Sequence, residues 1–132
     1  MSRSSIPAIL IVDGSDDNYD ATVRALRKDS ALKNRLHRCE NGREALDYLY
    51  KRGRFAPAMD APRPGIVLLD LNMPGIDSRR VLSMSKSDAS FRPIPIIVMK
   101  NLVDEHDIAP CYDVGANSYV KKPFAAAALP GI

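Results

Sequence analysis

Three short apolar runs, each stopping on a charged residue, constrain this chain more than any other feature. Ile9, Leu10, Ile11 and Val12 run into Asp13; Ile66, Val67, Leu68 and Leu69 run into Asp70; residues 94–99 run into Lys100. Runs of this length, rich in Val and Ile, are what strands buried on both faces look like. A weaker strand, Leu36, His37, Arg38 and Cys39, follows the first helical stretch, and Ser118, Tyr119 and Val120 follow the last.

Helical patterns lie between the runs. Residues 16–29 place Tyr19, Val23 and Leu26 on one helix face, and Ser15 or Asp16 can cap that helix. Residues 43–51 carry Ala45, Leu46, Leu49 and Tyr50; Gly53 and Pro57 then break the chain, and a Pro-rich loop runs to Pro64. Residues 78–86 carry Val81, Leu82 and Met84, and residues 104–114 carry Ile108, Cys111, Tyr112 and Val114 before a capping Gly115. Pro110 falls inside this last pattern, where its ring costs about 3 kcal/mol in a helix interior, so the helix is expected to start late or kink there. Strands alternating with helices predict an α/β fold, a doubly wound parallel sheet with helices on both faces.

Composition narrows the class. At 132 residues, 45% hydrophobic and 27% charged, the chain is expected to form one globular domain over 1–132. Its net charge of +3 comes from basic residues spread over several elements, with only five Tyr and three Phe. That pattern reads as solvated helix surface rather than a nucleic-acid footprint. No apolar run approaches the ~20 residues of a membrane span, so no membrane partner is expected. The start lacks the apolar stretch of a signal peptide, and Cys39 and Cys111 read as reduced thiols, so the expected location is cytoplasmic.

In a doubly wound sheet the ligand site lies beyond the carboxyl ends of the strands. Those ends carry Asp13, Asp70, Lys100 and, beyond the fifth strand, Lys121 and Lys122. Two carboxylates at neighbouring strand tips repel unless a cation lies between them. A hard, oxygen-lined site suits Mg²⁺. A nearby Lys can hold a phosphoryl oxygen, and a carboxylate so placed can attack phosphorus to give an acyl phosphate. The bland reading is that these are strand-end polar residues facing solvent.

At these residues the sequence resembles the receiver domain of two-component response regulators, over residues 9–124. Val67-Leu68-Leu69-Asp70-Leu71-Asn72-Met73-Pro74-Gly75-Ile76-Asp77 is similar to that family's phosphoacceptor strand and following loop, and Gly115-Ala116-Asn117-Ser118-Tyr119-Val120-Lys121-Lys122-Pro123-Phe124 to its fifth strand and Lys-Pro end. The long loop after Gly53 resembles small, single-domain regulators that partner bacterial phytochrome kinases. The resemblance implies a flavodoxin-like (βα)5 fold in a phosphorelay protein. Asp70 would take a phosphoryl group from a histidine kinase, with Lys122 paired to it. Asp13 and the backbone carbonyl of Asn72 would hold Mg²⁺. Tyr119 would be the switch aromatic, Lys100 would occupy the other switch position, and Pro123 would be a cis-proline.

Two positions depart from the family pattern. Gly14 stands where a second acid is usual, and Lys100 where Thr or Ser is usual. The family's three carboxylates are balanced by one lysine and the dication, whereas here Asp13 and Asp70 balance Lys122 and Lys100 with no metal. A Lys100 ammonium in the metal's space would leave Mg²⁺ weakly bound or absent, slow phosphorylation, and lower the Asp70 pKa. Alternatively Lys100 snorkels to solvent, or Asp16 or Asp17 supplies the missing carboxylate through water. The chain would then be a phosphorelay receiver, or a pseudo-receiver acting as a scaffold or dimerisation module. A small enzyme or nucleotide-binding domain fits less well, because Asp13-Gly14-Ser15-Asp16 is no phosphate-cradling loop and the only histidines are His37 and His106.

After Phe124 come four alanines, which favour a helix, and then Leu129, Pro130 and Gly131, which stop it after about one turn. The final helix is therefore expected to be short or missing. That would leave apolar surface on one flank of the sheet, and points to a truncated chain or to completion by a second subunit in a homodimer.

Overall fold

The computed structural model describes residues 7–28, 34–56, 62–70, 77–100, 116 and 118–121. The predicted helix at 104–114 with Pro110, the residues His106 and Cys111, and the expected short final helix lie outside the described residues.

Five strands form one sheet in the order β2-β1-β3-β4-β5: β1 is Ala8–Val12, β2 Leu36–Cys39, β3 Pro64–Asp70, β4 Ile96–Lys100 and β5 Ser118–Lys121. Every neighbouring pair is parallel. Three α-helices are described, α1 Asp16–Arg27, α2 Gly42–Tyr50 and α3 Asp77–Ser87, with a short 3₁₀ turn at Gly53–Phe55. This is the flavodoxin-like arrangement, and its strand order reverses between β1 and β3.

Strand alternation divides the core in two. Leu10, Val12, Val67, Leu69, Ile96 and Val98 face α2 and α3, where they meet Ala45, Leu46, Leu49, Val81 and Leu82. Ile9, Ile11, Ile66, Leu68, Ile97 and Met99 face α1, where Leu26 is buried and Tyr19 and Val23 pack alongside. Burial on both faces is why the central strands read as unbroken apolar runs.

The helix ends follow local chemistry. Ser15 caps α1 by accepting from the Asn18 N–H at 3.2 Å. Asn41 caps α2 by accepting from the Glu44 N–H at 2.9 Å, and the Glu44 carboxylate accepts from the Glu40 N–H at 2.9 Å. That cap starts α2 one residue earlier than its apolar pattern predicts. At its other end Lys51 adopts a left-handed conformation (φ 56°), with the Lys51 N–H donating to Tyr48 and the Arg52 N–H to Asp47. This is a Schellman closure built on a non-glycine residue. Helix α1 stops at Arg27, whose guanidinium donates to the Asn34 carbonyl at 2.8 Å, while the Asn34 amide donates to the Pro7 carbonyl at 2.8 Å.

Two strand starts differ from the sequence reading. β3 begins at Pro64, two residues early, because a proline at a strand's first position forfeits no ladder bond. Just after it, a Cβ on Gly65 would collide with the Pro7 ring, so only glycine lets these segments approach. β4 begins at Ile96, two residues late. Ile94 belongs to a turn closed by its N–H on the Phe91 carbonyl at 2.9 Å, and Pro95 has no N–H to donate.

Candidate functional site at the carboxyl end of the sheet

Val12 pairs with Leu69, so the next residues, Asp13 and Asp70, stand side by side at the tips of β1 and β3. This is the switch point, where an α/β sheet opens a crevice. Asp13 is 0% exposed and Asp70 3%. The solvent-facing reading therefore fails for both. Adjacent buried carboxylates require donors or a cation. One Asp13 oxygen, Oδ1, accepts from the Ser15 N–H at 3.0 Å. The Asp13 N–H donates to the Cys39 carbonyl at 3.0 Å, which extends the β1–β2 ladder to the site.

Gly14 is exposed beside Asp13. Lys100 ends β4, half-buried and in register with Lys121 of β5, while Asp70 is in register with Met99. Alternation continues the row of Ile11 and Leu68 into Asp13 and Asp70, but Lys100 continues the row of Val98. A Lys100 ammonium beside Asp70 would have to come over the strand tip on its four-carbon stem. Tyr119 pairs with Val98 in the middle of β5. Asn72, Lys122 and Pro123 lie outside the described residues.

Sequence reasoning missed Arg38. It sits on β2, the neighbour of β1, in the row that faces α1. Its Nε donates to the Asp13 backbone carbonyl at 3.2 Å, its Nη1 lies 2.8 Å from Asp16 Oδ1, and its guanidinium carbon lies 4.7 Å from the centre of the Tyr19 ring. Burial alone would lower the Arg38 pKa, but the carboxylates of Asp16, Glu40 and Asp13 outweigh it and hold the group still more firmly protonated. Asp16, one candidate for the missing carboxylate, is thus engaged by a cation at the site's edge. The strand-end rule, applied to the weak second strand, points to Glu40 after Cys39 and passes over Arg38 inside the strand.

Two side chains at the far side of β2 are biased toward their neutral forms. Burial pushes the Cys39 thiol up to about 12, and burial with Arg35 nearby lowers the His37 pKa. The described residues contain no group of three or more His, Cys, Asp or Glu able to hold a metal. Asp13 and Asp70 alone fit the modest demand of Mg²⁺, which keeps several waters and takes one or two carboxylates.

The sequence matches the response regulator receiver domain family over residues 9–131. The chain belongs to the response regulator receiver domain family. It is 31% identical to the response regulator Rcp1 of Synechocystis over 123 residues, which cover 92% of this chain and 82% of Rcp1. The crystal structure of the phosphorylated cyanobacterial phytochrome response regulator RcpA superposes with a TM-score of 0.79 at 32% identity, covering 93% of this chain and 85% of RcpA. RPA3017, a response regulator in red light signaling of R. palustris, superposes with a TM-score of 0.81 at 33% identity, covering 92% and 85%. Rcp1 has also been solved in a Mn²⁺-bound form, which superposes with a TM-score of 0.76 at 29% identity, covering 88% of this chain and 81% of that structure. This receiver domain is therefore a two-component signalling protein related to phytochrome response regulators. Receiver domains bind Mg²⁺ and are signalling proteins rather than enzymes in general. Among the described residues, no helix is long and apolar enough to cross a membrane.

Proposed function

We propose that the chain is a cytoplasmic, single-domain response regulator that receives a phosphoryl group on Asp70 and signals through protein contacts. The donor is a histidine kinase, and its class is a bacterial phytochrome, as the names of the related regulators suggest. In the transfer, a carboxylate oxygen of Asp70 forms a bond to phosphorus as the phosphorus–nitrogen bond of the kinase phosphohistidine breaks. The histidine nitrogen leaves with the electron pair. The observation that carries this reading is the pair of buried, register-matched carboxylates Asp13 and Asp70 at the switch point. Asp13 and Asp70, with the Asn72 carbonyl, would hold Mg²⁺, which supplies positive charge when bound.

The site is impaired relative to the family. Gly14 removes one metal-side carboxylate, Lys100 replaces a hydroxyl, and Arg38 already engages Asp16. Lys122 pairs with the Asp70 carboxylate or its phosphate, and Lys100 and Tyr119 occupy the switch positions. These departures also favour a second reading, a pseudo-receiver that works as a scaffold or dimerisation module without phosphate chemistry.

The test is phosphotransfer from an autophosphorylated, purified bacterial phytochrome kinase, with light scattering to read the expected homodimer. Slow labelling that disappears in Asp70→Asn supports the receiver reading. Absence of label, with kinase binding unaffected by Asp70→Asn, supports the scaffold instead.

A further inference from the structure

We infer that the groove between α2 and α3 docks an acidic segment of a partner protein. Arg43, Leu46 and Asp47 of α2, Arg52 and Gly53 just beyond it, and Arg80 of α3 line an open groove of about 620 Å³. The sequence scatters these arginines over more than thirty positions, and the fold brings them to one concave surface.

Charge complementarity selects the occupant. Arg43, Arg52 and Arg80 are exposed. Among the described residues Asp47 is the one carboxylate in the lining, and it is taken by Arg52 at 3.2 Å. Neighbouring Glu44 is taken by Arg54 at 3.0 Å. The Arg43 and Arg80 guanidinium groups form no ion pair among the described residues. Among the described residues these two guanidinium forks are unengaged by acids, and each matches a carboxylate in a two-point geometry.

The walls are held in place. Arg52 lies 5.2 Å from the centre of the Tyr50 ring, and the Tyr50 hydroxyl donates to Asp88 at 3.1 Å. The Schellman closure at Lys51 fixes where Arg52 leaves α2. Buried Leu46 gives the groove an apolar floor that an aliphatic side chain between two acids can cover. Among the described residues no aromatic side chain lines the groove to offer nucleobases a stacking platform, which favours an acidic peptide over single-stranded nucleic acid.

The probe is a fluorescein-labelled peptide in which glutamates alternate with leucines, read by fluorescence anisotropy against the intact chain. Saturable binding is expected, and Arg43→Glu with Arg80→Glu should weaken it about tenfold or more. Charge reversal at Arg24 and Lys86, exposed residues away from the groove, should change affinity less than about twofold. Arg80→Gln, milder than charge reversal, should fall between the two, and circular dichroism confirms that each variant is folded. Non-saturable binding, an equal loss in the Arg24 and Lys86 variant, or tighter binding of single-stranded DNA of equal charge would each overturn the proposal.

Discussion

Arg38 Nη1 lies 2.8 Å from Asp16 Oδ1, and this contact ties the end of β2 to the first turn of α1 beside Asp13. The same guanidinium donates to the Asp13 carbonyl and stacks on Tyr19. A fixed cation therefore sits at the edge of a site whose relatives are built to bind a mobile one. Its Nη2 is buried without a hydrogen-bond partner, so Arg38 is held by these three contacts rather than by full satisfaction of its donors.

Replacing Arg38 with Met keeps the apolar stem and removes the charge. The ion pair itself contributes little, because Asp16 is 84% exposed. The hydrogen bond to Asp13 and the Tyr19 stack should together account for a loss of about 1–2 kcal/mol, read by urea unfolding. Mg²⁺ titration should show tighter binding in Arg38→Met, since Asp16 is released and a competing cation is gone. Unchanged Mg²⁺ affinity would show that Arg38 does not compete with the metal.

His37 sets a pH dependence of stability. Burial, with Arg35 close by, holds its imidazole below the ordinary value of 6.5, so the unfolded chain takes up the proton first. The stabilisation is complete above 6.5 and is lost as pH falls below 6.5 toward the folded-state value. In His37→Asn, urea midpoints measured across this window should decline less steeply than in the parent. An identical decline would show that other groups govern it.

Lys51 carries a conformation that glycine holds at lower cost (φ 56°). Lys51→Gly should stabilise the chain by about 0.5–1 kcal/mol in urea unfolding, because the left-handed penalty on a side chain disappears while the Schellman closure stays. A destabilised variant would mean that the Lys51 side chain contributes more than its backbone strain costs.

The central strands were legible because both faces are buried, so Ile9, Ile11, Leu68 and Val98 all had to be apolar whichever way they point. Strand ends were less legible. Apolarity marks Ile94 as core, which it is, but cannot show that its N–H closes a turn. Asp13 and Asp70 were readable as a pair because the strand-end rule needs only the chain order of the strands. Arg38 escaped because β2 is an edge strand with a half-polar sequence, and its partners Asp16 and Tyr19 come from a different element. The groove arginines escaped for the same reason: Arg43 and Arg80 meet only when α2 and α3 pack together. Alternation sharpened Lys100, placing it in the opposite row from Asp70, which a linear sequence with an uncertain strand start does not reveal.

The most direct measurement is intact mass after treatment with a small phosphodonor, with and without Mg²⁺. The expected result is slow gain of one phosphoryl group, weakly dependent on Mg²⁺ and lost in Asp70→Asn, with faster gain and tighter Mg²⁺ binding when Gly14→Asp and Lys100→Thr are combined. Fast, stoichiometric, Mg²⁺-dependent gain in the parent would contradict the impaired site, and no gain in either the parent or the double variant would contradict Asp70 as the acceptor.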